Sequence, residues 1–135
     1  MNREAVKELL YEKYIRATEQ TRSKAIGIEI EMPVVNLTGQ ATDFDVARGA
    51  AESLFSRYGF KRVGIDTDGN CYSATDDVTG DNLSFDCSYN NLELSFGKEV
   101  DLNVLSRRFT QYVGLLNEKL GERAHTLTGM GINPH

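Results

Sequence analysis

Patterns of apolar and polar residues divide the chain into three predicted helices and a group of predicted strands. The first helix is predicted over residues 3–19, where apolar side chains recur at helical spacing and charged residues fill the other positions. Its apolar stripe consists of Val6, Leu9, Leu10, Tyr14 and Ile15. Stripes of this kind usually pack in a protein core, and we expect the same of this one.

Two later segments have the same helical periodicity. Residues 43–59 start at Asp43 or Asp45, either of which can cap a helix, and end at Gly59, which suits the left-handed position after a helix. Residues 101–121 also start at an aspartate. The apolar side of that last helix is formed by Leu102, Leu105, Phe109, Val113, Leu116 and Leu120.

Strand patterns lie between the predicted helices. Residues 26–36, "IGIEIEMPVVN", alternate isoleucine with glutamate or glycine before they become apolar. Short strands over residues 60–66 and 71–75 flank the turn signal "DGN", and residues 83–97 resemble a hairpin. Short turns indicate antiparallel pairing. We therefore predict an α+β fold, an antiparallel sheet with helices packed on one face, as a single domain over residues 1–135.

The hairpin "LSFDCSYNNLELSF" suggests a register. A four-residue loop at residues 88–91 would place all apolar pairs on one face and all polar pairs on the other. In that register Asp86 faces Glu93, and Cys87 lies on the apolar face as a core residue. Like charges in directly opposed positions are destabilising.

Four carboxylates should share the polar face of this sheet. Glu29 and Glu31 lie on the same side of their strand because side chains alternate between faces. Together with Asp86 and Glu93 they would form an acidic surface, and two unit charges about 5 Å apart repel by roughly 3 kcal/mol at an effective dielectric near 20. A divalent cation with oxygen ligands, raised pKa values or nearby lysines would each relieve this repulsion.

An ordinary explanation of the same pattern stays open. Antiparallel sheets often have one solvated polar face, on which glutamates are common. Ser95 lies next on this face and either contacts a substrate or is a plain strand serine. His125 and His135 have no partner at a suggestive spacing, so both are expected to be structural or surface residues.

Composition excludes several classes of function. The net charge is −5, from 20 acidic and 15 basic residues, and no basic block or zinc-ligand spacing indicates a nucleic-acid partner. No apolar run approaches the length of a membrane span. The two cysteines, Cys71 and Cys87, do not form a disulfide framework, so reduced thiols in the cytoplasm are expected.

Three motifs, taken in order, resemble a known enzyme family. The motifs are "GIEIE" on an early strand, "NLELSFG" on a later strand that Asp86 precedes, and "LTGMGINPH" after the next helix. Together they resemble the N-terminal part of glutamate–cysteine ligases (γ-glutamylcysteine synthetases) and related carboxylate–amine ligases. The resemblance extends over roughly residues 24–135. Those enzymes are several times longer, so the resemblance implies an N-terminal fragment of a ligase.

The resemblance also implies a fold and an activity. The fold would be like that of glutamine synthetase and guanidino kinases, in which an antiparallel sheet holds metal, ATP and substrate. ATP would phosphorylate the γ-carboxylate of glutamate, and the amino group of cysteine would displace phosphate to give γ-glutamylcysteine, a step of glutathione biosynthesis. The resemblance assigns Mg²⁺ binding to Glu29, Glu31, Asp86 and Glu93, and substrate binding to Ser95, Gly131 and Asn133.

Two consequences follow for the chain by itself. Because the family's later metal and nucleotide ligands are missing from it, the chain alone is expected to be inactive, and a truncated sheet edge is expected to promote self-association. The alternative is a non-catalytic remnant that binds a metal or small anion, or one half of a split enzyme.

Overall fold

A computed structural model describes residues 2–19 and 24–130 of the chain. The helices are α1 (Arg3–Leu10), α2 (Arg16–Glu19), α3 (Phe44–Tyr58) and α4 (Leu102–Gly121), and a π-helical turn (Tyr11–Ile15) joins α1 to α2. The strands are β1 (Ile26–Asn36), β2 (Lys61–Ile65), β3 (Cys71–Thr75), β4 (Asn82–Phe85), β5 (Asn91–Glu99) and β6 (His125–Leu127). Gly131, Asn133 and His135, for which the sequence predicted roles, lie outside these residues.

The six strands form one antiparallel sheet in the order β2-β3-β4-β5-β1-β6. Strand β1 changes partner at Pro33, because residues 26–33 pair with β5 and the next three pair with β6. The Pro33 carbonyl faces the β6 edge, where it accepts from the Thr128 N–H at 2.9 Å, so the N–H that proline lacks would also point to that edge. The α+β class with an antiparallel sheet is confirmed, whereas the short strand β6 was not predicted, since three residues are too few to show a period.

Helices α3 and α4 pack on one face of the sheet, as predicted. Asp43 caps α3 by accepting a hydrogen bond from the Asp45 N–H at 2.9 Å, and Gly59 follows the helix with φ +74°. The largest fully buried core side chains are Leu54, Leu83, Leu92, Leu94, Leu116, Leu120 and Val34. They come from both helices and the central strands. Because α3 and α4 cover one face of the sheet, the opposite face is the one open to ligands.

The apolar stripe of the N-terminal helix is not part of this core. Its side chains are exposed, with Leu9 at 54% and Tyr14 at 58% of full exposure, and α1 contains no buried residue. The expectation that the stripe packs in the core is wrong, because helical periodicity shows which residues share a face but not what covers that face.

The predicted hairpin register is wrong by two residues. Asp86 pairs with Asn91, whose carbonyl accepts from the Asp86 N–H at 3.0 Å, and Ser84 rather than Asp86 faces Glu93. The loop begins one residue earlier because Cys87 has φ +61°, a left-handed conformation that a strand does not contain. A two-residue shift leaves every side chain on its predicted face, except that Cys87 is exposed in the turn instead of buried in the core.

A buried ionic network joins α4 to the sheet. Asp81, 1% exposed, accepts hydrogen bonds from the Gly97 N–H at 2.9 Å, from the Arg108 guanidinium at 3.0 and 3.1 Å, and from the Tyr112 hydroxyl at 3.0 Å. Burial raises the pKa of the Tyr112 phenol, so this group remains a donor. No pattern in the sequence indicated this role of Asp81.

His125 was expected to be either a structural or a surface residue, and in the structure it is a structural one. The ring is buried, and its Nε2 accepts a hydrogen bond from the Asp43 N–H at 3.1 Å, which fixes β6 against the start of α3.

Across residues 2–19 and 24–130, no helix combines the length and apolar character that crossing a bilayer requires.

Candidate metal centre

Three acidic side chains meet on the open face of the sheet. Glu31 on β1 is directly opposite Glu93 on β5, and Asp86 follows β4 at the position diagonal to Glu93. One carboxylate oxygen from each residue lies within 4.8 Å of one from each of the others. The strand alternation explains the arrangement, because the isoleucines and leucines between these residues must face the helices.

The carboxylates have no basic partner in the part of the chain that the structure describes. None of the ion pairs there includes Glu31, Asp86 or Glu93. Two charges 4.8 Å apart repel by roughly 3–4 kcal/mol at an effective dielectric near 20, and by about 1 kcal/mol in bulk water. Glu31 is exposed and the other two are half-buried, so the true cost lies between these limits. Lysine neutralisation, one of the sequence alternatives, does not occur among these residues.

Ser95 orients one of the three carboxylates. Its hydroxyl donates a hydrogen bond to the Glu93 Oε1 at 2.8 Å, whereas contact with a substrate stays a prediction. Glu29 lies on the same face and pairs with Ser95 across the strands, but its carboxylate is not in the group of three. The sequence predicted that four carboxylates share this face, and in the structure three of them, Glu31, Asp86 and Glu93, lie close together.

The thiol of Cys87 borders the carboxylates. Its Sγ lies 3.3 Å from the Asp86 Oδ1, and this hydrogen bond raises the pKa of the thiol, with a smaller contribution from the charge of Glu31. A protonated thiol is a poor metal ligand. The donor set is therefore formed by carboxylate oxygens, which suit hard cations such as Mg²⁺ better than soft ones.

Cys87 also lines an aromatic cleft of about 480 Å³. The cleft is lined by Phe44, Asp66, Tyr72, Phe85, Cys87, Ser88 and Tyr89. The Asp66 carboxylate accepts from the Tyr89 hydroxyl at 2.6 Å, and this bond is the main cause that lowers the Asp66 pKa to about 2. Sequence reasoning missed this cleft, because its residues come from two turns, from strands β3 and β4 and from the start of α3.

The geometry allows either of two interpretations of the carboxylate face. Mg²⁺ is usually bound by a few carboxylates and completed by water and phosphate, which three convergent carboxylates on an open face would permit. Exposed acidic groups are also common without a bound ion. What distinguishes this group from an ordinary solvated face is the directly opposed pair Glu31–Glu93, with a third carboxylate diagonal to it.

Comparison with protein-family models, with curated proteins and with solved structures finds no match to this chain. The resemblance to glutamate–cysteine ligases therefore remains a prediction from three short motifs and their order. Two of these motifs contribute directly to the acidic group, since "GIEIE" contains Glu31 and "NLELSFG" contains Glu93.

Proposed function

We propose that the chain is the N-terminal, metal-binding part of an ATP- and Mg²⁺-dependent carboxylate–amine ligase of the glutamate–cysteine ligase type. The observation that supports this proposal best is the convergence of Glu31, Asp86 and Glu93 on the open sheet face, with no basic residue of the described chain paired to them. The resemblance to the family assigned Mg²⁺ binding to all three of these residues, two of which lie within its motifs while Asp86 precedes one of them.

The proposed reaction explains why such a face would exist. A triphosphate and a glutamate carboxylate are both anions, so their approach requires positive charge, and no basic residue of the described chain is paired with the three carboxylates. Bound Mg²⁺ would supply that charge. The residues of this chain would hold the ions through the three carboxylates, with Ser95 fixing the orientation of Glu93. Glu29, one pair further along the strands, remains a predicted ligand by resemblance.

A second candidate is a non-catalytic binding module or one half of a split enzyme. The observation that favours it is that no lysine or arginine in residues 2–19 and 24–130 forms an ion pair with the three carboxylates, so none is in place to hold a phosphate group there. Phosphate groups would then be reached only through bound metal or through basic residues of another polypeptide.

The test is a Mn²⁺ titration with and without ATP, followed by electron paramagnetic resonance. A ligase half-site predicts that ATP tightens Mn²⁺ binding and that combined Glu31→Gln and Glu93→Gln substitutions abolish the effect. Glu118→Gln, which removes an exposed carboxylate of α4, is the matched control and should bind as the wild type does. Mn²⁺ binding that ATP does not change would favour the binding module, and binding that survives the double substitution would contradict both candidates.

An activity assay separates the whole enzyme from its part. We expect the chain alone to form no γ-glutamylcysteine from ATP, glutamate and cysteine. Product formed by the isolated chain would show that the further ligands found in longer ligases are not required.

A further inference from the structure

The aromatic cleft that Cys87 lines has the size and composition of a small-molecule site. Its volume of about 480 Å³ lies within the range of roughly 300–1,000 Å³ that is typical of such sites. Four of its lining residues, Phe44, Tyr72, Phe85 and Tyr89, are aromatic. Phe44 and Tyr72 are each 43% exposed, so ring surface is available to a ligand.

Contacts between separate elements hold the cleft in place. The Tyr89 ring meets the Phe85 ring edge-on, with the centroids 4.9 Å apart, and its centroid lies 6.0 Å from that of Phe44. The Tyr89 hydroxyl donates to the Asp66 carboxylate at 2.6 Å. These contacts join the turn after β4 to β4 itself, to the start of α3 and to the turn after β2. The cleft is therefore formed without a ligand, which lowers the entropic cost of binding.

Asp66 brings an uncompensated negative charge to the cleft. The hydrogen bond from Tyr89 is the main cause that lowers the Asp66 pKa to about 2, so the carboxylate is ionised at neutral pH. None of the ion pairs in residues 2–19 and 24–130 includes Asp66. Arg48 lies 4.8 Å from the centroid of the Tyr89 ring, but it pairs with Asp45 and is not part of the cleft lining. Aromatic rings beside an unpaired negative charge attract cations.

The hydrogen-bonding positions of the Asp66 carboxylate are already filled. A carboxylate has about four lone-pair positions. Four donors of the chain use them, namely the Asp68 N–H at 2.9 Å, the Asn70 N–H at 2.8 Å, the Asn70 side-chain amide at 3.1 Å and the Tyr89 hydroxyl. A primary ammonium would bring N–H donors and find no open position on the one charged group of the lining, and a buried donor without an acceptor is costly. A quaternary ammonium has no N–H to satisfy.

We propose that this cleft binds the quaternary ammonium group of a small, free organic cation. The ring faces attract the alkylated ammonium, and the charge of Asp66 adds an attraction that needs no direct hydrogen bond. The inference goes beyond the proposed ligase function and does not depend on it, because the cleft and the three carboxylates of the candidate metal centre share no residue.

The neighbouring carboxylates argue against a phosphate on the same ligand. Cys87 lines the cleft, and its Sγ lies 3.3 Å from the Asp86 Oδ1, so the acidic group borders the cleft. In a phosphocholine headgroup only a short ethylene chain separates the ammonium from the phosphate. That phosphate would come close to the carboxylates and be repelled by them. A free cation such as choline therefore fits the cleft better than a lipid headgroup.

A ligand series tests the proposal on the wild-type chain. Choline is added in the presence of a chelator, and the chemical shifts of the tyrosine ring protons are followed by nuclear magnetic resonance. Choline should bind with a dissociation constant on the order of millimolar or below. Ethanolamine should bind at least about fivefold more weakly, as should the neutral isostere in which a tert-butyl group replaces the trimethylammonium group. No choline binding, or equal binding of either analogue, would overturn the proposal.

Substitutions locate the bound cation. Tyr72→Leu removes one ring and should weaken choline binding at least about fivefold, whereas Tyr72→Phe keeps the ring and should retain binding. Tyr14→Leu removes an exposed tyrosine outside the cleft and is the matched control, which should bind as the wild type does. Equal effects of Tyr72→Leu and Tyr14→Leu would overturn the proposal.

Two further measurements separate the cleft from other places where choline could bind. Excess Mg²⁺ should leave choline binding unchanged, and displacement of choline by Mg²⁺ would place it on the carboxylates instead. Phosphocholine should bind more weakly than choline, and phosphatidylcholine vesicles should not retain the protein in a sedimentation assay. Displacement by Mg²⁺ or retention by the vesicles would contradict the assignment of a free cation to this cleft.

Discussion

Glu31→Gln should stabilise the metal-free protein, which is an unusual effect for a substitution at an ordinary surface position. The Glu31 carboxylate lies within 4.8 Å of Asp86 and of Glu93, and none of the hydrogen bonds found in the described chain involves its side chain. The substitution therefore removes two repulsive pairs at little other cost. Each pair costs between about 1 kcal/mol in water and 3–4 kcal/mol at an effective dielectric near 20.

Because Glu31 itself is exposed, the gain should be close to the lower limit. We expect the free energy of unfolding to rise by about 1–2 kcal/mol in the presence of a chelator. Urea unfolding followed by far-ultraviolet circular dichroism measures this change, and tyrosine fluorescence gives a second probe because the chain has six tyrosines and no tryptophan.

The neighbouring glutamate provides the control. Glu29 lies on the same strand and face but is opposite Ser95 instead of another carboxylate, so Glu29→Gln should change the free energy by less than about 0.5 kcal/mol. Added Mn²⁺ or Mg²⁺ should stabilise the wild type and reverse the ranking of wild type and Glu31→Gln. A loss of stability in Glu31→Gln, or equal changes in the two variants, would refute the argument from charge repulsion.

Three further predictions concern the scaffold around the site, and urea unfolding measures each. Asp81→Asn should cost about 3 kcal/mol, because it removes the buried carboxylate that lies 3.0 Å from the Arg108 guanidinium and leaves that guanidinium only the Glu99 carboxylate at 3.6 Å. Gly97→Ala should cost about 3 kcal/mol or more, because a Cβ there would overlap the backbone carbonyl of Thr79 in the turn between β3 and β4. Tyr89→Phe should lose stability at neutral pH, and its difference from wild type should shrink as pH falls from about 4 to about 2. The low pKa of Asp66 means that its stabilising contribution is present above its ordinary pKa near 4 and is lost on protonation.

Each of these predictions has an outcome that contradicts it. The control for Asp81→Asn is Asp77→Asn, because Asp77 is an exposed aspartate in a turn and pairs with Lys61. Equal losses of stability in the two variants would show that the burial of Asp81 does not matter. A Gly97→Ala variant of wild-type stability would mean that the turn yields easily. A Tyr89→Phe difference that stays constant down to pH 2 would mean that the Asp66 hydrogen bond is not its cause.

The sequence was sufficient for features that depend on local patterns. Helix α3 begins at its predicted cap and ends at its predicted glycine, and β3 has its predicted limits. Alternation along β1 and β5 placed the glutamates on one face and the apolar residues on the other, which is confirmed. These predictions rest on spacing within one element.

The features that the sequence missed depend on contacts between elements. The hairpin register required the left-handed turn at Cys87, which no pattern in "CSYNN" indicates. The burial of Asp81 is set by α4, far along the chain, and the exposure of Leu9 is set by which surfaces remain uncovered. The sequence predicted which residues form the candidate site but not how they pair across the strands, since Glu31 and not Asp86 lies opposite Glu93.

The most direct test of the central claim is the stoichiometry and affinity of Mn²⁺ bound without nucleotide, measured by electron paramagnetic resonance on the wild type and on the Glu31→Gln and Glu93→Gln double variant. If the carboxylate group is a metal centre, the wild type binds Mn²⁺ that Mg²⁺ displaces, and the double variant loses at least about tenfold in affinity, as expected when two of three ligands become neutral amides. Equal, weak binding by both proteins would show that the three carboxylates are a solvated sheet face and would contradict the account.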